Sequence, residues 1–221
     1  MQSDSSVTQA LQLLMQQDAA LISVVTLSLR VSATACLLGA GLGLLLGAAL
    51  AVGRFAGRKL VIGLFNTLLA LPSVVVGLVV YLLLSRSGPL GSWGILFTPS
   101  AMVIAQAILV VPIVAALSRE LVSDALDQGG EQLRALGAGR MLCAALMLLH
   151  ERRALLTLLL TAFGRAVSEV GAVMVVGGNI AGQTRVMTTA IALETSKGDL
   201  PMALALGLVL LGVVGLINLL I

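Results

Sequence analysis

Arg165 and Glu169 are the residues of this chain with the clearest capacity for chemistry, and both fall inside a run of Leu, Ala and Val. An ionisable side chain in such a run costs several kcal/mol if the run sits in lipid, so it marks an ion or substrate path, or a structural pair. Four positions apart, the two share a helix face and can pair. Paired, they neutralise each other and let the helix insert; alternatively, Arg165 lends positive potential to the path of an anion. Ser168 and Asn179 are candidate weak donors on that path beside Arg165 and Glu169. Arg30 lies nearer a span end, where its stem can snorkel to the interface, and it too could line a path. No catalytic or metal-binding constellation accompanies them. His150 is the one histidine, Cys36 and Cys143 stand far apart, and no G-x-x-x-x-G-K-[ST] pattern is present. The chain is not expected to be an enzyme or to bind a metal or cofactor.

Composition says what must position these residues. Of 221 residues, 59% are hydrophobic and 10% charged, and mean hydropathy is +1.11. Soluble domains carry roughly 25% charged residues, so the natural solvent here is lipid. Backbone polar groups in lipid must be satisfied within helices or a closed barrel. Barrel strands alternate apolar and polar residues, whereas the runs here are unbroken, which predicts an all-α integral membrane protein. The net charge of +3 reads as topology, not as a nucleic-acid footprint.

A spanning helix needs about 20 apolar residues. Five stretches qualify: Leu21–Val52, Leu60–Leu84, Ser100–Leu117, Ala154–Val176 and Leu200–Ile221. Together they predict a single transmembrane domain over residues 1–221. Pro72 and Pro112 fall within the second and third stretches, where they would kink a helix or hinge a gate. Gly39, Gly43 and Gly47 recur on one face of the first, a spacing that lets helix backbones approach closely. Met1–Asp18 is polar without a basic start, unlike an ordinary cleaved signal peptide. The last apolar run reaches Ile221 without a polar tail, the expectation for a trimmed chain.

The loops set the orientation, because Lys and Arg concentrate on the cytoplasmic side. One side receives Arg54, Arg58, Lys59, Arg119, Arg134, Arg140, Arg152 and Arg153, and the other Arg86, Arg185 and Lys197. The first side should be cytoplasmic, with the N-terminus outside and the C-terminus inside. Residues 85–99 form a turn-rich loop, and residues 177–199 a second extended loop. Residues 120–153 are too polar to span and too apolar for a disordered linker. Leu133, Leu136, Met141, Leu142, Ala145 and Leu149 fall at helical spacings there. This predicts short amphipathic helices with a turn at Gly137-Ala138-Gly139 and Cys143 in the loop region.

That segment resembles the cytoplasmic signature of importer permeases of the ABC superfamily, which begins with Glu and has Gly six residues later. Glu131 and Gly137 match. Gln132 and Leu133 replace two alanines, and His150 stands where the family usually has proline. A further resemblance, to the oxyanion permeases for molybdate, tungstate and sulfate, runs from about Thr26 to Leu210. It rests on residues 69–77, 82–91, 164–180 and 188–191. The Ser168-Glu169-Val170-Gly171-Ala172 form and the Glu194–Asp199 run are closest to tungstate permeases.

The resemblance implies a type I ABC importer permease with coupling helices in residues 120–153. Glu131, Leu133, Ala135, Leu136, Gly137 and Met141 would contact a separate cytoplasmic ATPase, which would bind the ATP and Mg. It further implies a homodimer, with the two Arg165 residues facing across a central pore, and an extracytoplasmic oxyanion-binding protein. The function expected is import of an oxyanion, tungstate first, with molybdate or sulfate as alternatives. Rival readings are a transporter driven by an ion gradient, which would need several midplane carboxylates where only Glu169 stands, and a channel.

Overall fold

A computed structural model of the chain describes residues 19–219, together with Thr8, Gln9, Gln12 and Met15. The rest of Met1–Asp18 lies outside the described residues, as do Leu220 and Ile221. Every described element is helical. In order these are α1 (Ala19–Val52), α2 (Arg58–Leu68), α3 (Ser73–Leu84), α4 (Pro99–Ala135), α5 (Arg140–His150), α6 (Arg152–Val167), α7 (Gly171–Gly177), α8 (Met187–Lys197) and α9 (Leu200–Leu219), with a 3-10 turn at Gly91–Trp93. Three helices are long and apolar enough to cross a membrane, or five spans if each of two bent pairs counts as one. The number of apolar stretches is therefore met, but their shapes differ from five plain rods.

The α1–α4 contact is the most extensive in the molecule. The glycine stripe of α1 lies in it: a Cβ at Gly39 would come within 2.7 Å of Val110, and one at Gly43 within 2.6 Å of Val114. At Gly47 it would stand 2.6 Å from the Ala115 carbonyl. Only glycine allows the two backbones this close. The opposite face of α1 exposes Leu37, Leu38, Leu42 and Leu45, as a lipid-facing surface should. Proline at the first position of α4, after Thr98, suits a helix start. Pro112 sits inside α4 without ending it.

Several expectations are corrected. The second stretch breaks at residues 69–72, and α2 and α3 meet at 101°. Pro72 becomes the N-cap of α3, because a residue preceding or at proline disfavours continued helix. The third stretch does not stop at Leu117: α4 continues to Ala135, 37 residues or about 55 Å at 1.5 Å per residue. That exceeds the roughly 30 Å lipid core, so the polar Arg119–Ala135 part is an extension of a spanning helix and not a separate short one. The second extended loop contains α8, whose first N–H, on Met187, donates to the Ser28 hydroxyl of α1 at 2.6 Å. A cap supplied from another helix is invisible to local sequence patterns. Cys143 likewise lies within α5, buried.

Replacing Gly43 with leucine is expected to destabilise the chain by about 1–3 kcal/mol through overpacking. Gly41→Leu faces open space and should leave stability nearly unchanged. Thermal unfolding in detergent compares the two, and equal losses would show that the stripe does not set the packing.

Candidate functional site

The fourth apolar stretch is also broken. α6 and α7 meet at 52°, separated by Ser168, Glu169 and Val170. Glu169 thus leaves the helix, yet its pairing with Arg165 survives: Arg165 Nη1 donates to Glu169 Oε2 at 2.8 Å. The other carboxylate oxygen accepts the Ala172 N–H at 3.2 Å. That donor is one of the unsatisfied groups of the first turn of α7, so the carboxylate does the work of a cap. The backbone carbonyl of Glu169 accepts a 2.7 Å bond from the Thr188 hydroxyl of α8. The exposures are unequal: the Glu169 side chain is 3% exposed and that of Arg165 is 53%.

The break in the second stretch meets the break in the fourth. A Cβ at Gly171 would lie 2.8 Å from Ser73 Oγ and 2.6 Å from Val74, and one at Gly77 would lie 2.8 Å from the Ala172 backbone. The first turns of α3 and α7 therefore converge beside Glu169. Gln106 of α4 reaches the same junction. Its Nε2 donates to the Ala166 carbonyl at 2.9 Å, and its Oε1 is buried without a partner. The crevice between Gln106, Arg165 and Glu169 holds about 10 Å³, room for about one water.

Of the residues expected on a path, Arg165, Ser168 and Glu169 are together at this junction. Ser168 is exposed. Asn179 is at the other end of α7, with φ of 52° and its Nδ2 donating to the Thr189 carbonyl at 3.3 Å. Arg30 is exposed on α1. Gln106 and Thr188 were missed by sequence reasoning. A glutamine within an apolar span was a usable signal; nothing in the sequence tied Thr188 to Glu169.

A second constellation lies at the end of α4. The turn falls at 137–139 as expected. The Ala138 N–H donates to the Leu133 carbonyl and the Gly137 N–H to that of Arg134, both at 3.0 Å. This is a Schellman motif, and it needs a left-handed residue, which Gly137 supplies at φ of 84°. The Glu-to-Gly spacing thus has a mechanical meaning: the glycine ends α4 and turns the chain into α5. At the turn Leu136 is 84% exposed, and Met141, Leu142 and Leu149 are exposed along α5. Glu131 and Ala135 are exposed and Leu133 half-buried. The other face of α5 buries Cys143 and Ala144 against Ala48, Val122 and Leu126. Without proline at His150, α5 still ends there, and α6 begins after Glu151.

Long apolar helices, two of the spans broken, and a half-buried ion pair at one of the breaks are features of a multi-pass membrane protein. No protein-family model matches the chain. The tungstate uptake system permease protein TupB of Peptoclostridium acidaminophilum is 43% identical over 209 residues, covering 95% of this chain and 92% of that protein. A probable anion ABC transporter permease of Haloferax volcanii is 42% identical over 199 residues, 88% of this chain and 86% of that protein. The sulfate transport system permease CysW of Escherichia coli is 37% identical over 141 residues, 59% of this chain and 47% of that protein. The chain belongs to the family of oxyanion permeases of ABC transporters.

Removing Arg165 alone leaves the Glu169 carboxylate buried with the Ala172 N–H and the Ser73 side chain as its remaining partners. Because the guanidinium is half exposed, the cost of Arg165→Leu should be about 1–3 kcal/mol, below that of a fully buried pair. The double variant Arg165→Leu/Glu169→Gln is expected to be more stable than Arg165→Leu. A double-mutant cycle on thermal unfolding checks this; a double variant no better than the single would mean the carboxylate is not held by Arg165.

Proposed function

We propose that this chain is the membrane subunit of an ATP-driven importer of tungstate. The observation that carries the reading is the unbroken α4, which joins the glycine-packed seam to the exposed Leu136 turn. A helix of about 55 Å moves as a unit, so force applied at the turn reaches the centre of the bundle. The chemistry of ATP belongs to a separate cytoplasmic ATPase, whose nucleotide and Mg the chain itself does not hold. The apolar turn, with Glu131, Leu133, Ala135, Leu136, Gly137 and Met141, docks into that subunit. Burying Leu136 there removes from water a side chain that the described residues leave 84% exposed.

The basic loops and this turn face the cytoplasm, with the N-terminus outside and the C-terminus inside. Arg165 and Ser168 line the anion path, Glu169 holds Arg165 in place, and Asn179 stands beyond α7 on the outer side. The 10 Å³ crevice is far too small for an oxyanion, so the exposed face of Arg165 is opposed by a second copy of the chain. Two arginines then supply positive potential across a path without forming a deep site. An extracytoplasmic binding protein delivers the anion and sets most of its selectivity. The identity to a tungstate permease over nearly the whole chain favours tungstate over sulfate, and an ATP-driven permease over a gradient-driven transporter.

The test is uptake of tungstate into vesicles carrying the chain, its ATPase and its binding protein. Uptake should require ATP and survive dissipation of ion gradients. Leu136→Glu should release the ATPase on co-purification and abolish uptake while leaving thermal stability unchanged, and Gly137→Trp should do the same to capture. Arg165→Leu in folded protein should lower uptake without loss of ATPase binding. ATP-independent uptake, or full capture by Leu136→Glu, would overturn the reading.

A further inference from the structure

The Arg165 junction does not use the largest concentration of positive charge in the molecule. Arg54, Arg58, Arg134 and Arg140 all line one cavity of about 440 Å³. It lies where the end of α1 and the 53–58 loop meet the last turns of α4 and the start of α5. Among the described residues no acidic one lines it, and none of the four arginines pairs with a described carboxylate. Arginine stays charged at any accessible pH, so these side chains repel one another in a partly enclosed space. The start of α5 adds to the positive field. Gly139 and Arg140 open α5, an 11-residue helix whose N-cap has no side-chain hydrogen bond, so its first N–H groups and the positive end of its dipole lie at the cavity.

One of the four has a structural duty. Arg58 donates through Nε to the Leu50 carbonyl at 2.7 Å and through Nη2 to that of Ala51 at 3.3 Å, capping the end of α1. Hydrogen bonds to protein do not account for Arg54, Arg134 or Arg140 in the same way. A planar guanidinium matches a tetrahedral oxyanion through paired N–H donors, and several around one concave site are a phosphate-type arrangement.

We propose that this cavity binds a tetrahedral oxyanion of the phosphate type, as a free anion or as the phosphate of a lipid headgroup. Bound there, the anion bridges the 53–58 loop to the turn that follows α4. It would thereby steady the segment that the proposed function couples to the ATPase, although binding itself does not depend on that reading. In the orientation proposed above, the cavity opens at the cytoplasmic edge of the membrane, within reach of both sources.

The test uses the full chain purified into nanodiscs. Arg54→Gln/Arg140→Gln removes two cavity charges and spares the α1 cap. Arg152→Gln/Arg153→Gln removes the same charge outside the cavity. In zwitterionic discs, inorganic phosphate and tungstate are titrated with thermal unfolding as the readout. In discs containing phosphatidylglycerol, retained lipid is counted by native mass spectrometry. The native chain and the Arg152/Arg153 control should respond to at least one ligand, and the cavity variant should bind it at least about tenfold more weakly. A response in the first arm assigns a free anion, and in the second a headgroup. No response of the native chain in either arm, or equal responses of the two double variants, would overturn the proposal.

Discussion

Close approach of α1 and α4 is the constraint on which the remaining helices depend. The three glycines of the stripe bring the two backbones together, and the surfaces that flank the seam then become the binding faces for everything else. Ser28 of α1 caps α8. Gln106 of α4 joins the Ala166 carbonyl of α6 and approaches Ser32 of α1 at 3.5 Å. Cys36, Ala40, Val110 and Val114 form a common surface with Leu158, Ala162 and Ala166 of α6. In lipid, apolar contact alone gives helices little reason to associate, so close packing and polar contacts between helices carry the association. Both act along this seam.

Breaking a span frees backbone groups that lipid cannot satisfy, so a break needs partners from other protein. At the α6–α7 break, the Glu169 carboxylate takes the Ala172 N–H and the Thr188 hydroxyl takes the Glu169 carbonyl. Arg165 then balances the charge that the carboxylate brings. The ion pair is therefore structural through Glu169 and available to function through Arg165. The two ends of the pair differ in exposure, 3% for Glu169 and 53% for Arg165.

How far the sequence could be read follows from the range of the forces involved. The apolar runs, the glycine stripe, the Arg165–Glu169 pairing and the turn at Gly137 were legible because each depends on residues within a turn or two of one another. The break at Ser168–Val170 was not, because the contacts that accompany it, Gly171 on Ser73 and Val74 and Thr188 on the Glu169 carbonyl, join residues far apart in the chain. α8 was hidden for a related reason: its cap comes from Ser28, more than a hundred residues away in sequence. The full length of α4 is not legible because polarity marks the end of a span and not of a helix. A helix leaves the membrane without stopping, since its backbone bonds are internal and indifferent to the solvent around them.

The two ends of α5 make different demands on the residues that stand there. Gly137 occupies a left-handed position that ordinary residues enter only with strain, and its N–H and that of Ala138 close the end of α4. No other residue type does this as cheaply. The far end of α5 makes a lighter demand: the chain must leave the helix and start α6 in a new direction. Proline would do so by removing a donor, but Glu151 does it with φ of −84° and ψ of 32°, while the Cys143 and Ala144 face of α5 stays anchored on α1 and α4. Packing holds the middle of α5, so the stop signal at its end need not be proline. The turn at Gly137 instead needs a left-handed backbone, a demand that packing of its neighbours Leu133 and Ala138 does not remove.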